Sequence, residues 1–318
     1  MIVRPYLSQD ASRIVEIYRN QEPDGIPLTI ERHHNEFTEL YAKQSGEAWV
    51  ATNSDVVVGY GTCGVAWWTG REDVYTVEVR VDQAFQGCGI GESIYRQMLS
   101  FLVSRGAKEI LSKVREDCPR GRAFASRFRF QETGEVIEDY LLDVQVVSLN
   151  AIVERTAALS QFGIDVRSLA ELDADDRDLL QSIHLLWADL GADVTYTEAL
   201  SKGFASWRSQ VLEGMGMSPE TFWLAMEGDK PIGMTFLKRI TEADAENDYT
   251  CVSPEQRGKG IAYTLKLCAI DWAKRNGVLR FHTSSEANNR AMIATNTRLG
   301  YRAGARRLEL CCSDVVAT

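Results

Sequence analysis

The sequence repeats itself. Displaced by 171 residues, the distance from Gln86 to Arg257, VRVDQAFQGCGIG falls over TCVSPEQRGKGIA, SRGA over RNGV and RFRF over RLGY. Gly89 then stands on Gly260, Val81 on Val252, Gly106 on Gly277 and Phe130 on Tyr301. Upstream the register drifts, with Gly59 of VVVGYG answering Gly233 of PIGMTF. Motifs that hold their spacing while loops drift indicate a duplicated domain, and a repeat limits the possible folds before any local propensity does. A chain of 318 residues has room for two ordinary domains. The expected boundaries are 1–150 for the first, 151–162 for a linker and 163–318 for the second.

Each half reads as strand, helices, two strands, a third strand, a glycine turn, a long helix, a strand, a helix and final strands. VEVRV alternates, with Val77, Val79 and Val81 on one face and Glu78 and Arg80 on the other. IAYTLKLCAIDWAKRNG places Ile261, Leu265, Cys268 and Trp272 on one helical stripe and stops at Gly277. The expected class is α/β (α+β).

A net charge of −10 argues against a nucleic-acid partner, because phosphate attraction needs a basic face. No apolar run is long enough to span a bilayer, and MIVRPYLSQDASRIVEIY lacks the apolar stretch of a signal peptide. Seven cysteines without regular spacing, most in apolar stretches, read as reduced thiols of a cytoplasmic protein. His33, His34, His184 and His282 form no spaced set of ligands, so no metal is expected.

The chemistry lies in the two glycine turns. A turn of glycines joining strand to helix aims successive N–H groups outward at the positive end of the helix dipole, a ready seat for pyrophosphate. Gln86, Gly87, Cys88, Gly89, Ile90 and Gly91 form the first; Arg257, Gly258, Lys259, Gly260, Ile261 and Ala262 form the second and add two cations. The Walker pattern is absent, and the dinucleotide pattern fails at Glu92 and Tyr263. Both turns fit a different pattern: Arg or Gln, two residues, Gly, one residue, then Gly or Ala.

That pattern, found twice and followed downstream by RAFASRFRF and NRAMIATNTRLGY, resembles the pyrophosphate loop of the GNAT superfamily of N-acetyltransferases. The resemblance spans nearly the whole chain as two tandem domains, a layout similar to mycothiol synthase-like proteins. It implies that each half is a mixed, mostly antiparallel sheet flanked by helices. It also implies acetyl-CoA as cosubstrate, a small-molecule primary amine as acceptor, and a monomer or homodimer. The pantetheine arm is expected along the strands ending at Val81 and Val252, with Asn289 against it.

In this family the base is often a carboxylate on the strand before the loop. Glu246 lies eleven residues before Arg257, and Asp248 two further along. The 171-residue offset puts Tyr75 and Val77 opposite them in the first half, and neither is able to act as a carboxylate base. Glu78 is expected to face away unless a β-bulge re-aims it. The tyrosine that often serves as acid is replaced by Asn296 and Ala125. Asn296 is able to hydrogen-bond the sulfur of coenzyme A but not to protonate it; capping and core hydrogen bonds are the alternative for Asn289 and Asn296.

Stretches 27–44 and 195–213 occupy the position of the family's acceptor-lining helices. Trp67, Trp68, Trp187, Trp207 and Trp223 read as core or substrate wall. The expectation is an N-acetyltransferase with a catalytic second half. The alternative, favoured by Asn296 and Ala125, is a non-catalytic acyl-CoA-binding sensor or scaffold.

Overall fold

A computed structural model describes residues 1–43, 45–190, 203–213 and 218–315. In chain order the elements are β1 (Ile2–Pro5), α1 (Ala11–Gln21), α2 (Ile30–Lys43), β2 (Glu47–Asn53), β3 (Val56–Val65), β4 (Val74–Val81), α3 (Ile90–Ser104), β5 (Glu109–Arg115), α4 (Pro119–Arg127) and β6 (Gln131–Asp143). They continue as α5 (Ala151–Ser160), β7 (Ile164–Ser168), α6 (Arg177–Leu190), α7 (Phe204–Trp207), β8 (Phe222–Glu227) and β9 (Lys230–Arg239). The last are β10 (Asp244–Val252), α8 (Ile261–Arg275), β11 (Arg280–Glu286), α9 (Arg290–Leu299) and β12 (Arg302–Cys312). Among the described residues no helix is long and apolar enough to cross a membrane.

Two compact units result. The first comprises Met1–Glu138 together with the residues from Ala305 on, and the second comprises Asp139–Gly304. Strand order in the first is β1-β2-β3-β4-β5-β12, and in the second β6-β11-β10-β9-β8-β7. Contiguous halves would each close with their own last strand. Instead β12 pairs antiparallel with β5, Arg307 opposite Arg115 through Cys312 opposite Ile110, while β6 belongs to the second unit from Asp139 on. The stretch read as a linker is helix α5, whose Leu159 joins the same core as Leu265 and Ile270 of α8.

Both cores follow from the alternation of the strands. In the first unit Ile90, Ile94, Met98 and Leu102 of α3 bury against Val77, Ile110, Leu308 and Leu310. Gly61 lets the helix come this close, since a Cβ there would lie 2.5 Å from the sulfur of Met98. In the second unit Ile261, Leu265 and Ala269 of α8 bury against Ala245, Val252, Ile232 and Phe281.

Each unit also buries charged groups, Glu22 in the first and Lys266 in the second among them. On the α1 side of the first, Glu22, only 5% exposed, accepts from Arg307 (3.0 Å to each oxygen), Arg80 (3.1 Å) and Arg115 (3.1 Å). Burial by itself would raise this carboxyl, but the hydrogen bonds and charges of the three arginines outweigh it and pull it down to about 2. In the second unit Lys266, 2% exposed, donates to the Asn296 side-chain oxygen at 2.9 Å and lies 5.3 Å from the centre of the Tyr301 ring. Burial disfavours its charged form and pushes it down to about 7.

These two groups give opposite pH signatures. Because the folded state lowers the Glu22 carboxyl, its contribution is complete above about pH 4.5 and is lost as pH falls toward about 2. Glu22→Gln strands three guanidiniums around a neutral amide, and urea titrations are expected to show about 3–5 kcal/mol less stability near neutral pH. Lys266 is lowered in the folded state, so the unfolded chain binds the extra proton and stability rises from about pH 7 toward 10.5. Lys266→Met is expected to flatten that rise and to increase the melting temperature at pH 7, by roughly 2–4 °C for each kcal/mol recovered. Calorimetric scans across pH check both.

Candidate active site

The two glycine turns share one backbone. Gly87 and Gly89 take φ of +82° and +79°, and Gly258 and Gly260 both take +81°, the left-handed region that glycine enters without strain. Gly89 and Gly260 cap α3 and α8 without any side-chain hydrogen bond, and a Cβ on any of the four would meet open space. The first-turn N–H groups therefore remain uncapped by side chains, as an anion seat requires. Ile90 and Ile261 are buried, so only their backbone faces the turn, while Cys88 is exposed.

Gln86 and Arg257, read from the sequence as ligand contacts, have a bracing role in both turns. Gln86 Nε2 donates to the Val81 carbonyl at 3.0 Å, and Arg257 Nε to the Val252 carbonyl at 3.1 Å. Each turn is thereby tied to the last residue of the strand before it. Lys259 Nζ donates to the Gln256 side-chain oxygen and lies 5.6 Å from the centre of the Phe162 ring. The first turn has a cation after all, since Arg120 of α4 donates to the Gln86 side-chain oxygen at 3.3 Å.

Just before each turn two parallel strands fork. β4 and β5 pair only at Val74–Glu109, Tyr75–Ile110 and Thr76–Leu111; β10 and β11 pair only at Asp244–Arg280, Ala245–Phe281 and Glu246–His282. At the crotch the Ser112 hydroxyl donates to the Val77 carbonyl at 2.9 Å, and the Thr283 hydroxyl to the Asn247 carbonyl at 2.8 Å. Beyond it, β4 as far as Val81 and β10 as far as Val252 present an edge that another extended chain is able to pair with.

The second fork differs by one residue. β10 carries a bulge between Asn247 and Tyr249, and β4 carries none. The buried Asn247 amide bridges the disturbed ladder, donating to the Thr235 hydroxyl at 2.9 Å and the Phe236 carbonyl at 3.0 Å. Asp248 is the extra residue. Glu246, opposite His282, therefore matches Thr76, opposite Leu111, and not Tyr75. Asp248 has no counterpart. Glu78 matches Tyr249 and faces α1 alongside Arg80, whose guanidinium it binds, so it does not turn away from the site face.

On this face of the second unit Glu246 is half-buried, in register with Lys238 on β9 and His282 on β11. The Asp248 carboxylate binds Lys238 at 2.7 Å. Asp244 accepts from Arg280 (2.7 and 2.8 Å) and Thr241 (2.8 Å) and is 2.9 Å from His282 Nε2. Burial opposes its charge, but these hydrogen bonds prevail and hold its carboxyl below the usual range. Trp187 of α6 stacks on Tyr249 with centroids 4.4 Å apart and, with the fully buried Trp207, walls the face. Of the expected acceptor helices, α2 and α7 fall within the described residues; residues 44 and 195–202 lie outside them.

The corresponding face of the first unit is filled by charge. Where the second unit has Cys251 and Glu286, the first has Arg80 and Arg115, both committed to Glu22. Arg80 also binds Glu78 and Arg115 binds Asp117, so that face is occupied by a closed network of ion pairs.

Two asparagines serve the fold. Asn289 caps α9, its side-chain oxygen accepting from the Met292 N–H at 3.1 Å. Asn296 is 0% exposed and holds Lys266, so in this structure it does not face the fork. Sequence reading overlooked the Glu22 cluster, which gathers residues up to 285 positions apart, and Asn247. Lys266 had a signal, a lone cation between Leu265 and Leu267 inside an apolar helix. Among the described residues no group of three or more His, Cys, Asp or Glu side chains stands close enough to hold a metal.

The profile of the Acetyltransferase (GNAT) family matches residues 12–130 and again 183–301. Among solved structures, a GCN5-related N-acetyltransferase from Sphaerobacter thermophilus superposes with a TM-score of 0.74 at 16% identity, covering 98% of this chain and 95% of that one. A tandem GNAT protein from the clavulanic acid biosynthesis pathway gives 0.73 at 16% identity, covering 98% of each chain. A glucosamine N-acetyltransferase region of a fungal multi-domain β-N-acetylglucosaminidase gives 0.72 at 16% identity, covering 97% of this chain and 38% of that one. No curated protein sequence matches the chain. With the profile satisfied once in each half, and with the same turn and fork built twice, the chain belongs to the GNAT family of acetyltransferases.

Proposed function

We propose that the second unit transfers an acetyl group from acetyl-CoA to a primary amine of a small molecule. The observation that carries this reading is the placement of Glu246 at the mouth of the β10–β11 fork, one strand length before an uncapped glycine turn. Pyrophosphate on the Gly258–Ala262 backbone directs the pantetheine arm along the free edge of β10, which brings the thioester toward Glu246. Glu246, directly or through a water, takes the proton of the incoming ammonium. The neutral nitrogen attacks the thioester carbonyl, an amide of β10 beyond the fork stabilises the oxyanion, and the C–S bond breaks. The coenzyme leaves as a thiolate without a dedicated acid, as a thiol pKa near 8.5 allows, and takes up the second proton that the acylated nitrogen sheds. Asp248, held by Lys238, shapes the bulge and is not the base.

The first unit is proposed to bind coenzyme without catalysis. The Glu22–arginine cluster on its site face supports this, because it fills the place an ammonium must approach with arginines and carboxylates already paired to one another.

Release of free thiol from acetyl-CoA, followed over a panel of small amines, tests the activity. With a competent acceptor, Glu246→Gln is expected to lower kcat by roughly 100-fold or more with coenzyme affinity unchanged. Asp248→Asn is expected to cost far less; the reverse ranking would move the base to Asp248. Gly260→Val strains a φ of +81° and points a side chain into the anion seat, so it is expected to abolish coenzyme binding by the second unit and all turnover. Gly89→Val removes only the first unit's share of calorimetric binding, and turnover that vanished in that variant alone would place catalysis in the first unit.

A further inference from the structure

A coenzyme whose pyrophosphate rests on the second glycine turn sends its two arms apart. In the site proposed above the pantetheine arm follows β10, which leaves the first turn of α8 to the adenosine arm and its 3′-phosphate. That turn carries Tyr263, and two guanidiniums lie against its ring. Arg298 of α9 is 4.2 Å from the centroid and Arg155 of α5 is 6.0 Å away. Among the described residues no carboxylate pairs with either, and the buried Nε of Arg155 has no hydrogen-bond partner. An aromatic face holds a guanidinium flat without cancelling its charge, which keeps its N–H fork available for a phosphate.

The first unit shows the same place without this provision. Glu92 stands at the position of Tyr263 and Arg127 at that of Arg298. The Glu92 carboxylate binds Arg127 at 2.8 Å and Arg96 at 3.0 Å. Both guanidiniums are engaged by that carboxylate, which leaves fewer of their N–H groups for a phosphate. One substitution thus separates the two units in the charge they offer beyond the pyrophosphate.

We propose that Arg155 and Arg298, held against Tyr263, bind the 3′-phosphate of coenzyme A and make the second unit select CoA over 3′-dephospho-CoA. The assignment rests on the coenzyme site proposed above. It is tested by calorimetric titration of the full chain carrying Gly89→Val, so that only the second unit is read. CoA is expected to bind about tenfold or more tightly than 3′-dephospho-CoA, as charge-assisted contacts to a phosphate imply. Arg298→Ala should bring the two affinities together by weakening CoA alone, and Arg298→Lys should keep part of the preference. Tyr263→Glu, which supplies the carboxylate of the first unit, should erase it as well. Unchanged 3′-dephospho-CoA affinity in each variant reports that the turn is intact. Equal binding of both nucleotides by the parent protein, or a preference that survives Arg155→Ala with Arg298→Ala, would overturn the proposal and leave the coenzyme site standing. If Gly260→Val alters neither affinity, the coenzyme site itself is misplaced and the assignment falls with it.

Discussion

In each unit two parallel strands stay paired for three residues and then part, and most of what the site offers follows from that fork. Backbone groups left without a strand partner must find another, so the free edge is a template for an extended ligand arm. The hydroxyls of Ser112 and Thr283 close the crotch in the two units, which fixes where the divergence begins. Gln86 and Arg257 then tie the glycine turns to Val81 and Val252, so that turn, strand end and helix start form one piece. The glycine turn and the free strand edge are thereby held in fixed relation to each other.

On that shared frame the two units have diverged by charge. The bulge at Asp248 shifts the alternation of β10 and sets Glu246 where the first unit has Thr76. The site face of the first unit presents Arg80 and Arg115, which converge on the buried Glu22 carboxylate and also bind Glu78 and Asp117. Its third arginine, Arg307, comes from the last strand of the chain. The first unit's electrostatics are therefore incomplete until the whole chain has been made.

Strands, helices and turns were legible because they rest on local periodicity and on glycines needing positive φ at Gly87, Gly89, Gly258 and Gly260. Two things were not. The offset of 171 residues holds from the turns through β5 and β11, but at the starts of β4 and β10 it is 244 − 74 = 170, because one extra residue lies inside β10. Tyr75 and Val77 were accordingly placed opposite Glu246 and Asp248, and Glu78 was turned away from its true face. For Asn289 and Asn296 the sequence left coenzyme contact and capping or core hydrogen bonds both open, and the structure shows a helix cap and a buried bond to Lys266.

By itself, the sequence determined that the chain is a duplicated α/β protein with two glycine turns that open helices, because duplication and turn chemistry are written in adjacent residues. Only the tertiary structure decided which strand closes which unit, since β12 and β5 are joined by hydrogen bonds between segments far apart in the chain. It also decided how the carboxylates of β10 stand in register with β11. That depends on a single unpaired residue in a ladder, and a bulge is defined by the partner strand it fails to match.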